Sequence, residues 1–401
     1  MQYFPLPTMK YKKPVQQLIK ESNAKRLFWA VSCAGSTSRA AMAKQFELSP
    51  TTVSVLIDEM VGRGLLLQTG ETAVTKTGRR PLMLEVNPDG RYIPVVTLLP
   101  DGLQYALCDL TFRVIESVFL PASYQSDPAV LLLALLDKAA PFDYSRVPAL
   151  CIVLSDLFTL TEDRILAAEP AIQWDFTFID QLQARLRLPI LLGDAPGCCA
   201  NALKGTAQGD TLLYLSLTGG VGAGILHDGA VFTCGGKTPD LAHFSISDQG
   251  EPCICGGRGC LVQAVGRPAL LRKTRSEAEN TPGCALLARA EGDAQRIDWP
   301  TLCAAFVAYD PIARAVFSEA ARQLARGIGN LLCLFPAASV VFGGLDELGE
   351  GFLNLLRRQM SEQYGKKFQS RVSLRYSELG PHGSAVGAAK LLCESWMPVS
   401  E

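Results

Sequence analysis

The stretch HFSISDQGEPCICGGRGC, residues 243–260, carries the most specific pattern in the chain. It spaces one histidine and three cysteines as H-x9-C-x-C-x4-C, and the candidate ligands are His243, Cys253, Cys255 and Cys260. The glycines between the cysteines let the backbone fold tightly, and three thiolates with one imidazole form the closed tetrahedral set of a structural zinc site. We therefore predict one structural Zn2+ per chain, with no open position for catalysis. The alternative is a set of reduced cysteines in a glycine-rich turn.

A second glycine-rich segment lies upstream of this motif. The apolar run LLYLSL, residues 212–217, leads into TGGVGAG, residues 218–224. A strand that enters so many glycines predicts a tight turn whose backbone N–H groups can bind an anion. The glycine spacing does not match the dinucleotide fingerprint, and no Gly-Lys-Ser/Thr follows, so the segment is not a Walker A loop. By itself it fits a structural β-turn equally well.

The surrounding sequence, from Tyr92 onward, alternates apolar runs of strand length with helical stretches. This alternation predicts parallel sheets covered by helices, and about 300 residues predict two lobes with a ligand-binding cleft between them. Three consecutive runs, 93–99, 103–110 and 113–119, predict an antiparallel meander. The other predicted strands are 150–154, 189–192, 212–217 and 339–342.

The first ninety residues predict a different module, with three helices and a β-hairpin. The first helix is expected from its N-cap Asn23 to Gly35, and the second from Thr37 or Ser38. The third is expected after Ser49 and Pro50, with its apolar stripe facing inward. A tight three-residue link between helices two and three is typical of a helix-turn-helix. Residues 65–68, a turn at 69–72 and a second extended segment predict a wing.

This module has the charge and side chains of a DNA-binding head. Residues 1–90 contain 12 Lys/Arg and 7 Asp/Glu, whereas the rest contains 26 and 32. Hydroxyl side chains on the third helix can contact phosphates or base edges, and the arginines of TGRRP, residues 77–81, suit a narrow minor groove. The alternatives are solvent-facing helix-start residues and a solvated hinge. The predicted DNA-binding residues are Ser38, Arg39, Thr51, Thr52, Ser54, Arg79 and Arg80.

The cysteine count and the hydropathy of the chain exclude several classes of protein. The 13 cysteines among 401 residues, an odd number, argue against a disulfide scaffold. No apolar run is long enough to span a bilayer, and the N-terminus does not resemble a secretory signal. We therefore expect a cytoplasmic protein without membrane insertion.

Together these motifs resemble the ROK family of repressors and sugar kinases, in particular its NagC/XylR-type repressors, over almost the whole chain. The metal pattern matches the family signature, and residues 218–224 and 341–344 look like its second phosphate loop and adenosine-side turn. The resemblance implies an α/β fold, with an N-terminal winged helix-turn-helix followed by a two-lobed actin/hexokinase-like (ribonuclease H-like) domain. The implied boundaries are a tail at 1–21, the winged helix at 22–76, a linker at 77–90, lobe 1 at 91–194 and lobe 2 at 195–382, with a helix near 383–397 returning to lobe 1.

The chain departs from the family kinases at several positions. The sugar-contacting Glu-x-Gly-His stretch reads Asp240-Leu241-Ala242-His243, and the Asn-Asp pair of the general base reads Gly193-Asp194. Ser155-Asp156 replaces a Pro-Gly turn. The first phosphate loop, Asp-x-Gly-Gly-Thr in the family, is LLPDG at residues 98–102. The predicted sugar-binding residues are therefore Asp194, Asp240 and His243, with Asp194 a vestigial base.

The resulting expectation is a repressor of carbohydrate-metabolism genes that has lost kinase activity. It would bind double-stranded operator DNA as a homodimer or a dimer of dimers and sense a sugar or sugar phosphate in the interlobe cleft. Two alternatives remain open at this point. One is an active sugar kinase with an accessory DNA-binding module, and the other is a repressor controlled by a partner protein.

Overall fold

A computed structural model describes residues 2–3, 15–70, 82–139, 144–161, 163–167, 172–206, 209–234, 237–365 and 372–396. The N-terminal part of this structure, the head, combines three helices with a three-stranded sheet. Its elements are α1 (Val15–Ala34), β2 (Thr37–Ser38), α2 (Arg39–Phe46), α3 (Pro50–Gly62), β3 (Leu66–Thr69) and β4 (Met83–Val86).

The turn between α2 and α3 follows from local side-chain chemistry. Ser38 Oγ caps α2 by accepting a hydrogen bond from Ala41 N at 3.2 Å, and Ser49 Oγ caps α3 by accepting one from Thr52 N at 3.1 Å. Between them Glu47 adopts a left-handed conformation with φ 55°, which stops α2 and turns the chain. The capped third helix buries Val53, Leu56, Ile57 and Met60, as the apolar stripe predicts.

Two predictions for the head were wrong in detail. Helix α1 begins at Val15 rather than after Asn23, because helix-compatible residues precede Asn23 and packing extends the helix beyond a local cap preference. Lys20, in this extra segment, forms a 2.6 Å ion pair with Glu59 of α3.

The wing differs as well. Its second strand is β4, which pairs antiparallel with both β3 and β2, so part of the predicted linker belongs to the sheet. Buried Leu84 and Val86 alternate with more exposed neighbours along β4, which is the pattern of a half-buried strand. Residues 77–81, with Arg79 and Arg80, lie outside the described residues but fall between the paired strands in sequence.

The first of the two large sheets defines lobe 1. Its strands are ordered β1-β12-β8-β5-β6-β7, and β5, β6 and β7 form the predicted antiparallel meander. The strands are β1 (Gln2–Tyr3), β5 (Tyr92–Leu99), β6 (Gly102–Asp109), β7 (Val114–Pro121), β8 (Leu150–Leu154) and β12 (Ile190–Asp194). A small sheet of β9 (Thr159–Leu160), β10 (Arg164–Ala167) and β11 (Ile172–Asp175), with helices α4 (Pro128–Leu136) and α5 (Thr177–Leu186), completes the lobe.

The second large sheet defines lobe 2. Its order is β15-β14-β13-β16-β17, with β13, β16 and β17 parallel. The strands are β13 (Thr211–Ser216), β14 (Gly222–His227), β15 (Ala230–Val231), β16 (Ser339–Gly343) and β17 (Ser373–Tyr376). Its helices are α7 (Leu261–Val265), α8 (Arg267–Glu279), α9 (Ala285–Arg289), α10 (Trp299–Val307), α11 (Pro311–Leu334) and α12 (Gly349–Tyr364). The predicted two-lobed α/β architecture is therefore confirmed.

Two helices lie between the large sheets. Helix α6 (Ala195–Ala202) packs on β13 and β14, and α13 (Gly383–Trp396) packs on α6 and on β5, β6 and β8. Glycine permits both close approaches, since a Cβ at Gly224 would overlap the Pro196 carbonyl oxygen and one at Gly387 would overlap that of Cys198. The lobes are thus joined through closely packed backbone.

The head and lobe 1 share one apolar core. Buried residues of α1, α2 and α3 belong to the same cluster as those of β5, β6, α6 and α13, and the cluster continues into β13, β14 and β16 of lobe 2. Trp29 of α1 stacks on Phe112 of the lobe 1 meander, with ring centroids 5.3 Å apart. Lys25 also donates a 2.9 Å hydrogen bond to the Glu394 carbonyl oxygen at the end of α13. Across the described ranges, no helix is both long and apolar enough to cross a membrane.

Candidate metal centre, interlobe cleft and DNA-facing helix

The four predicted metal ligands converge in the structure. The ligand atoms of His243, Cys253, Cys255 and Cys260 all lie within 4.8 Å of one another. The His243 Nδ1 atom is 3.3 Å from Cys253 Sγ, and the Sγ atoms of Cys255 and Cys260 are 3.5 Å apart. Three sulfur atoms and one imidazole nitrogen at these separations could hold a single metal ion.

Glycines and short backbone hydrogen bonds build the loop that carries the cluster. Cys253 N donates to the Gly257 carbonyl oxygen, and Gly256 N donates back to that of Cys253, both at 2.9 Å. Gly256 and Gly259 have φ values of +86° and +67°, which favour glycine. A Cβ at Gly259 would also overlap the Ser247 carbonyl oxygen. The loop therefore needs glycine at positions 256 and 259 to bring the cysteines together.

The second nitrogen of His243 faces the other lobe. Its Nε2 atom lies 3.2 Å from Thr159 Oγ1, at the start of β9 in lobe 1. The metal cluster in lobe 2 is thereby linked to lobe 1 through one imidazole ring. A cavity beside this contact is lined by Asp156, Thr159, His243 and Cys253, among others.

An adjoining cavity contains the other two predicted sugar-binding residues. Asp194 and Asp240 both line it, together with Ser155 and Thr238. His243 lines the neighbouring cavity instead, and the two cavities share Asp156, Thr159 and Ala242. The three predicted sugar ligands therefore border one cleft without meeting at a single point.

Asp194 is positioned by helix α6, which begins directly after it. One carboxylate oxygen, Oδ1, accepts a 2.7 Å hydrogen bond from Gly197 N and so caps the helix. Burial raises the pKa of Asp194, although the hydrogen bonds from Gly197 and Thr238 act in the opposite direction. The carboxylate combines a fixed orientation with a raised proton affinity.

The second glycine-rich segment forms a turn at residues 217–221, between β13 and β14, which we call the glycine turn. Its N–H groups bind a carboxylate from lobe 1. Thr218 N donates to Asp156 Oδ2 at 2.7 Å, and Gly219 N donates to Asp156 Oδ1 at 2.8 Å. Gly220 N and Thr218 Oγ1 donate to the same Oδ1, at 3.3 and 2.6 Å. Sequence reasoning identified an anion-binding turn but not Asp156 as its partner, because the two are 62 residues apart.

Arg267 holds the glycine turn from the opposite side. Its Nε donates to the Leu217 carbonyl oxygen at 3.0 Å and its Nη2 to that of Gly344 at 2.6 Å. The guanidinium also lies 4.5 Å from the centre of the Trp299 ring. Arg267 thus holds the Leu217 carbonyl oxygen in place, and the N–H groups of the turn point toward Asp156. Sequence reasoning did not single out Arg267 for this role.

Residues 98–102, which we predicted to stand in place of the family's first phosphate loop, form a tight hairpin. Leu99 and Gly102 pair across the end of β5 and β6, so the connection consists of Pro100 and Asp101. The Pro100 ring packs against the glycine turn, since a Cβ at Gly219 would lie 2.8 Å from Pro100 Cγ. A two-residue connection leaves little backbone to wrap a phosphate.

The predicted DNA-facing residues occupy several environments. Ser38 caps α2, as described above, and Arg39 is engaged within the head. The Arg39 Nη2 atom forms a 2.7 Å ion pair with Asp58 Oδ1, and this hydrogen bond lowers the Asp58 pKa. In this structure Arg39 therefore links α2 to α3 through an ion pair.

The outward face of α3 is open. Thr51 and Thr52 are exposed and Ser54 is half-buried. Val55, one turn further along this face, is 50% exposed and was not singled out in the sequence. Its position one turn after Thr51 and Thr52 could have identified it, because residues three and four apart share a helix face. The exposed apolar side chain is suited to contact a thymine methyl group.

Comparisons with known proteins show which family this chain is similar to. The sequence model of the ROK family matches residues 134–395. The xylose repressor of Caldicellulosiruptor bescii is 26% identical over 353 residues, which cover 81% of this chain and 84% of that protein. The Escherichia coli DNA-binding transcriptional dual regulator NagC is 26% identical over 387 residues, covering 94% and 93% of the two chains.

Two solved structures show how far the fold extends. A ROK family transcriptional regulator, described as a homolog of the E. coli MLC protein, superposes with a TM-score of 0.77 at 22% identity and covers 94% of this chain and 96% of its own. A ROK glucokinase from Streptomyces griseus gives a TM-score of 0.64 at 21% identity and covers 75% of this chain and 98% of its own. The regulator's fold therefore covers more of this chain than the kinase's fold does.

The raised pKa of Asp194 generates a prediction about stability. The folded state binds a proton at Asp194 more tightly than the unfolded state, so this residue's contribution to the free energy of unfolding falls as pH rises from the ordinary carboxyl range through the raised pKa. Asp194→Asn keeps a capping oxygen but removes the charge. Relative to the original protein, the variant should gain stability as pH rises toward neutrality, as measured by urea unfolding at several pH values.

Asp298 provides a matched control. It caps α10 through a 2.9 Å hydrogen bond from Thr301 N, but it is exposed, and the hydrogen bonds from Thr301 lower its pKa. Its stabilising contribution is therefore present at neutral pH and lost on acidification, so Asp298→Asn should be most destabilising near neutrality. Parallel pH profiles for the two variants would contradict the assignment of Asp194.

Proposed function

The chain belongs to the ROK family, and on that premise we propose that it is a DNA-binding transcription repressor of carbohydrate-metabolism genes that responds to a sugar. The observation that carries the proposal is the head, with the open face of α3, packed onto a ROK body. Relatives named as the xylose repressor and NagC, aligned over most of this chain, support it.

For DNA binding, we propose that α3 enters the major groove. Thr51, Thr52 and Ser54 would contact base edges or phosphates, with Ser38 near the backbone. Arg39 would act by positioning α3, and Arg79 and Arg80 would reach the minor groove from the wing connection. A dimer would present two such heads to a palindromic operator, with half-sites one or more helical turns apart.

For effector binding, we propose the interlobe cleft bordered by Asp194, Asp240 and His243. Carboxylates accept hydrogen bonds from sugar hydroxyls, and Asp194 is held in place by the start of α6. Ser155 is only 3% exposed as a residue, and its buried hydroxyl has no hydrogen-bond partner among the described residues. A hydroxyl-rich ligand in this cleft would satisfy it. Relatives of this chain are named as repressors for different sugars, xylose and N-acetylglucosamine, so the proposal is restricted to the class of ligand.

The proposed response is a shift between two arrangements of the lobes. A sugar changes DNA affinity only if it binds one arrangement more tightly than the other. Because the head shares its core with lobe 1, a movement of lobe 1 against lobe 2 or against a second subunit carries the head with it. The spacing of the two α3 helices in a dimer would then change.

For the metal, we propose one structural Zn2+ bound by His243, Cys253, Cys255 and Cys260. The donor set fits zinc, since three thiolates and an imidazole satisfy a tetrahedral ion and leave no open position. The ion would hold the 243–260 loop in place, and with it the contact between His243 and Thr159. The chemistry it supplies is structural.

A sugar kinase is the second candidate, and Asp194 at the cleft favours it as a base. The Pro100-Asp101 hairpin opposes it, because phosphoryl transfer depends on a positioned nucleotide and this connection lacks the glycines and threonine of a phosphate loop. We therefore expect no sugar-dependent turnover of ATP in a coupled assay. Turnover above the rate without sugar would favour the kinase.

The zinc proposal predicts the metal content of variants. The purified protein should contain one zinc per chain, and Cys253→Ala should lower this well below one because a ligand is lost. Cys234→Ala, which alters an exposed cysteine outside the cluster, is the control and should keep the metal. Elemental analysis by mass spectrometry measures both. Full zinc content in the Cys253 variant would contradict the assignment.

The DNA-binding proposal predicts the effect of a charge on α3. Genome-wide mapping of bound sites supplies the operator, and fluorescence anisotropy then measures affinity at fixed salt. Val55→Glu should weaken operator binding at least about tenfold, or ~1.4 kcal/mol, because it places a carboxylate against the phosphates. Since Val55 is exposed, the fold should remain intact.

Val307→Glu is the matched control for this experiment. Val307, at the end of α10 in the body, is 55% exposed, so it receives the same substitution at similar exposure far from α3 in sequence. We expect its DNA affinity to equal that of the original protein. Unchanged operator binding by the Val55 variant would argue against α3 as the DNA-contacting helix.

A further inference from the structure

The glycine turn is built to bind an anion. The N–H groups of Thr218, Gly219 and Gly220 point to one place, and successive N–H groups in a turn form a concave site for negative charge. Glycine is needed there for close approach, since a Cβ at Gly220 would overlap the Asp156 carbonyl oxygen. The hydroxyl of Thr218 adds a fourth donor.

This anion site already contains a carboxylate. Both oxygens of Asp156 accept hydrogen bonds from the turn, from three backbone nitrogens and one hydroxyl. Hydrogen bonds to an ionised carboxylate are stronger than those between neutral groups. Asp156 follows β8 of lobe 1 and the glycine turn belongs to lobe 2, so these bonds cross between the lobes.

The surroundings hold the two partners together. Arg267 fixes the carbonyl end of the turn through Leu217 and Gly344, as described above. Pro100 packs on Gly219 from the lobe 1 hairpin. The turn is therefore held by Arg267 and contacted by Pro100, and its donors are engaged with Asp156 at the edge of the cavity.

We propose that Asp156 is an internal substitute for a phosphoryl group, which closes the lobes at the glycine turn and excludes phosphorylated compounds from it. A phosphate entering this site would have to displace the Asp156 carboxylate. Otherwise two negatively charged groups would lie close together and repel each other. The ligand part that faces the glycine turn is therefore uncharged. The inference rests on the turn alone and requires neither the operator nor the proposed sugar.

The test uses the full chain and inorganic phosphate or pyrophosphate as the probe, with chloride at matched ionic strength as the reference. Asp156→Ala leaves the four donors without their carboxylate, so Tm should fall in chloride. Phosphate should then raise the Tm of the variant, by about 2 °C when its concentration exceeds Kd roughly tenfold. The original protein should show no such rise.

Asp101→Ala is the matched control, because Asp101 is an exposed carboxylate in the adjacent hairpin and makes no hydrogen bond to the turn that the structure records. Its response to phosphate should match that of the original protein. The proposal is overturned if the original protein and the Asp156→Ala variant respond alike, whether both bind phosphate or neither does.

Asp156→Asn keeps the shape of the side chain and tests the same contact if the alanine variant does not fold. A neutral amide accepts fewer and weaker hydrogen bonds than a carboxylate. Amide hydrogen exchange at residues 217–221 should therefore be at least about tenfold faster than in the original protein, and phosphate should slow it. Equal exchange rates in the two proteins would contradict the role of Asp156.

Discussion

The structure depends on one shared apolar core that joins the head to lobe 1. Helix α1 contributes buried side chains to it, and Trp29 stacks on Phe112 outside the head. The same cluster continues into β13, β14 and β16 of lobe 2, but the Trp29 stack is a contact that α1 makes with lobe 1 itself. Closely packed interiors do not deform continuously, so on the proposed mechanism a ligand in the cleft acts on the head by changing how lobe 1 is placed against lobe 2 or against another subunit. Contacts between the lobes become the important ones for function.

Three kinds of contact link the lobes near the cleft. Helix α6 starts at Asp194 and packs between the two sheets and against α13, whose end binds Lys25 of α1. His243 joins the metal cluster to Thr159, and Asp156 joins lobe 1 to the glycine turn. All three border the cavities that contain the proposed sugar-binding residues. A ligand bound there would touch these contacts directly. Because the contacts change when the lobes move, the ligand would bind one arrangement of the lobes more tightly than the other.

Sequence reasoning succeeded where the determinant is local. Ser49 and Pro50 specify the start of α3 by capping, and apolar runs specify β5 to β8, β12, β13 and β16, although not β1, β14, β15 or β17. The spacing of the cysteines was enough to predict that the four ligands meet. It failed where long-range packing decides, as when α1 extended past Asn23 and the second wing strand formed at Met83–Val86. Sequence reasoning also failed to identify Asp156 as the partner of the glycine turn, because it interpreted Ser155-Asp156 only as the replacement of a Pro-Gly turn.

On the proposed function, the cleft is suited to sensing a ligand rather than to phosphoryl transfer. A kinase uses binding energy to stabilise a transferring phosphoryl group, which requires open phosphate loops and movable lobes. In this chain β5 and β6 are joined by the two-residue connection Pro100-Asp101, and the glycine turn is bound to Asp156, while Asp194 and the unpartnered Ser155 hydroxyl border the cavity. Hydrogen bonds to a ligand that does not react can instead favour one lobe arrangement over another. Under the proposed function, the cleft distinguishes two conformations of the chain rather than a transition state.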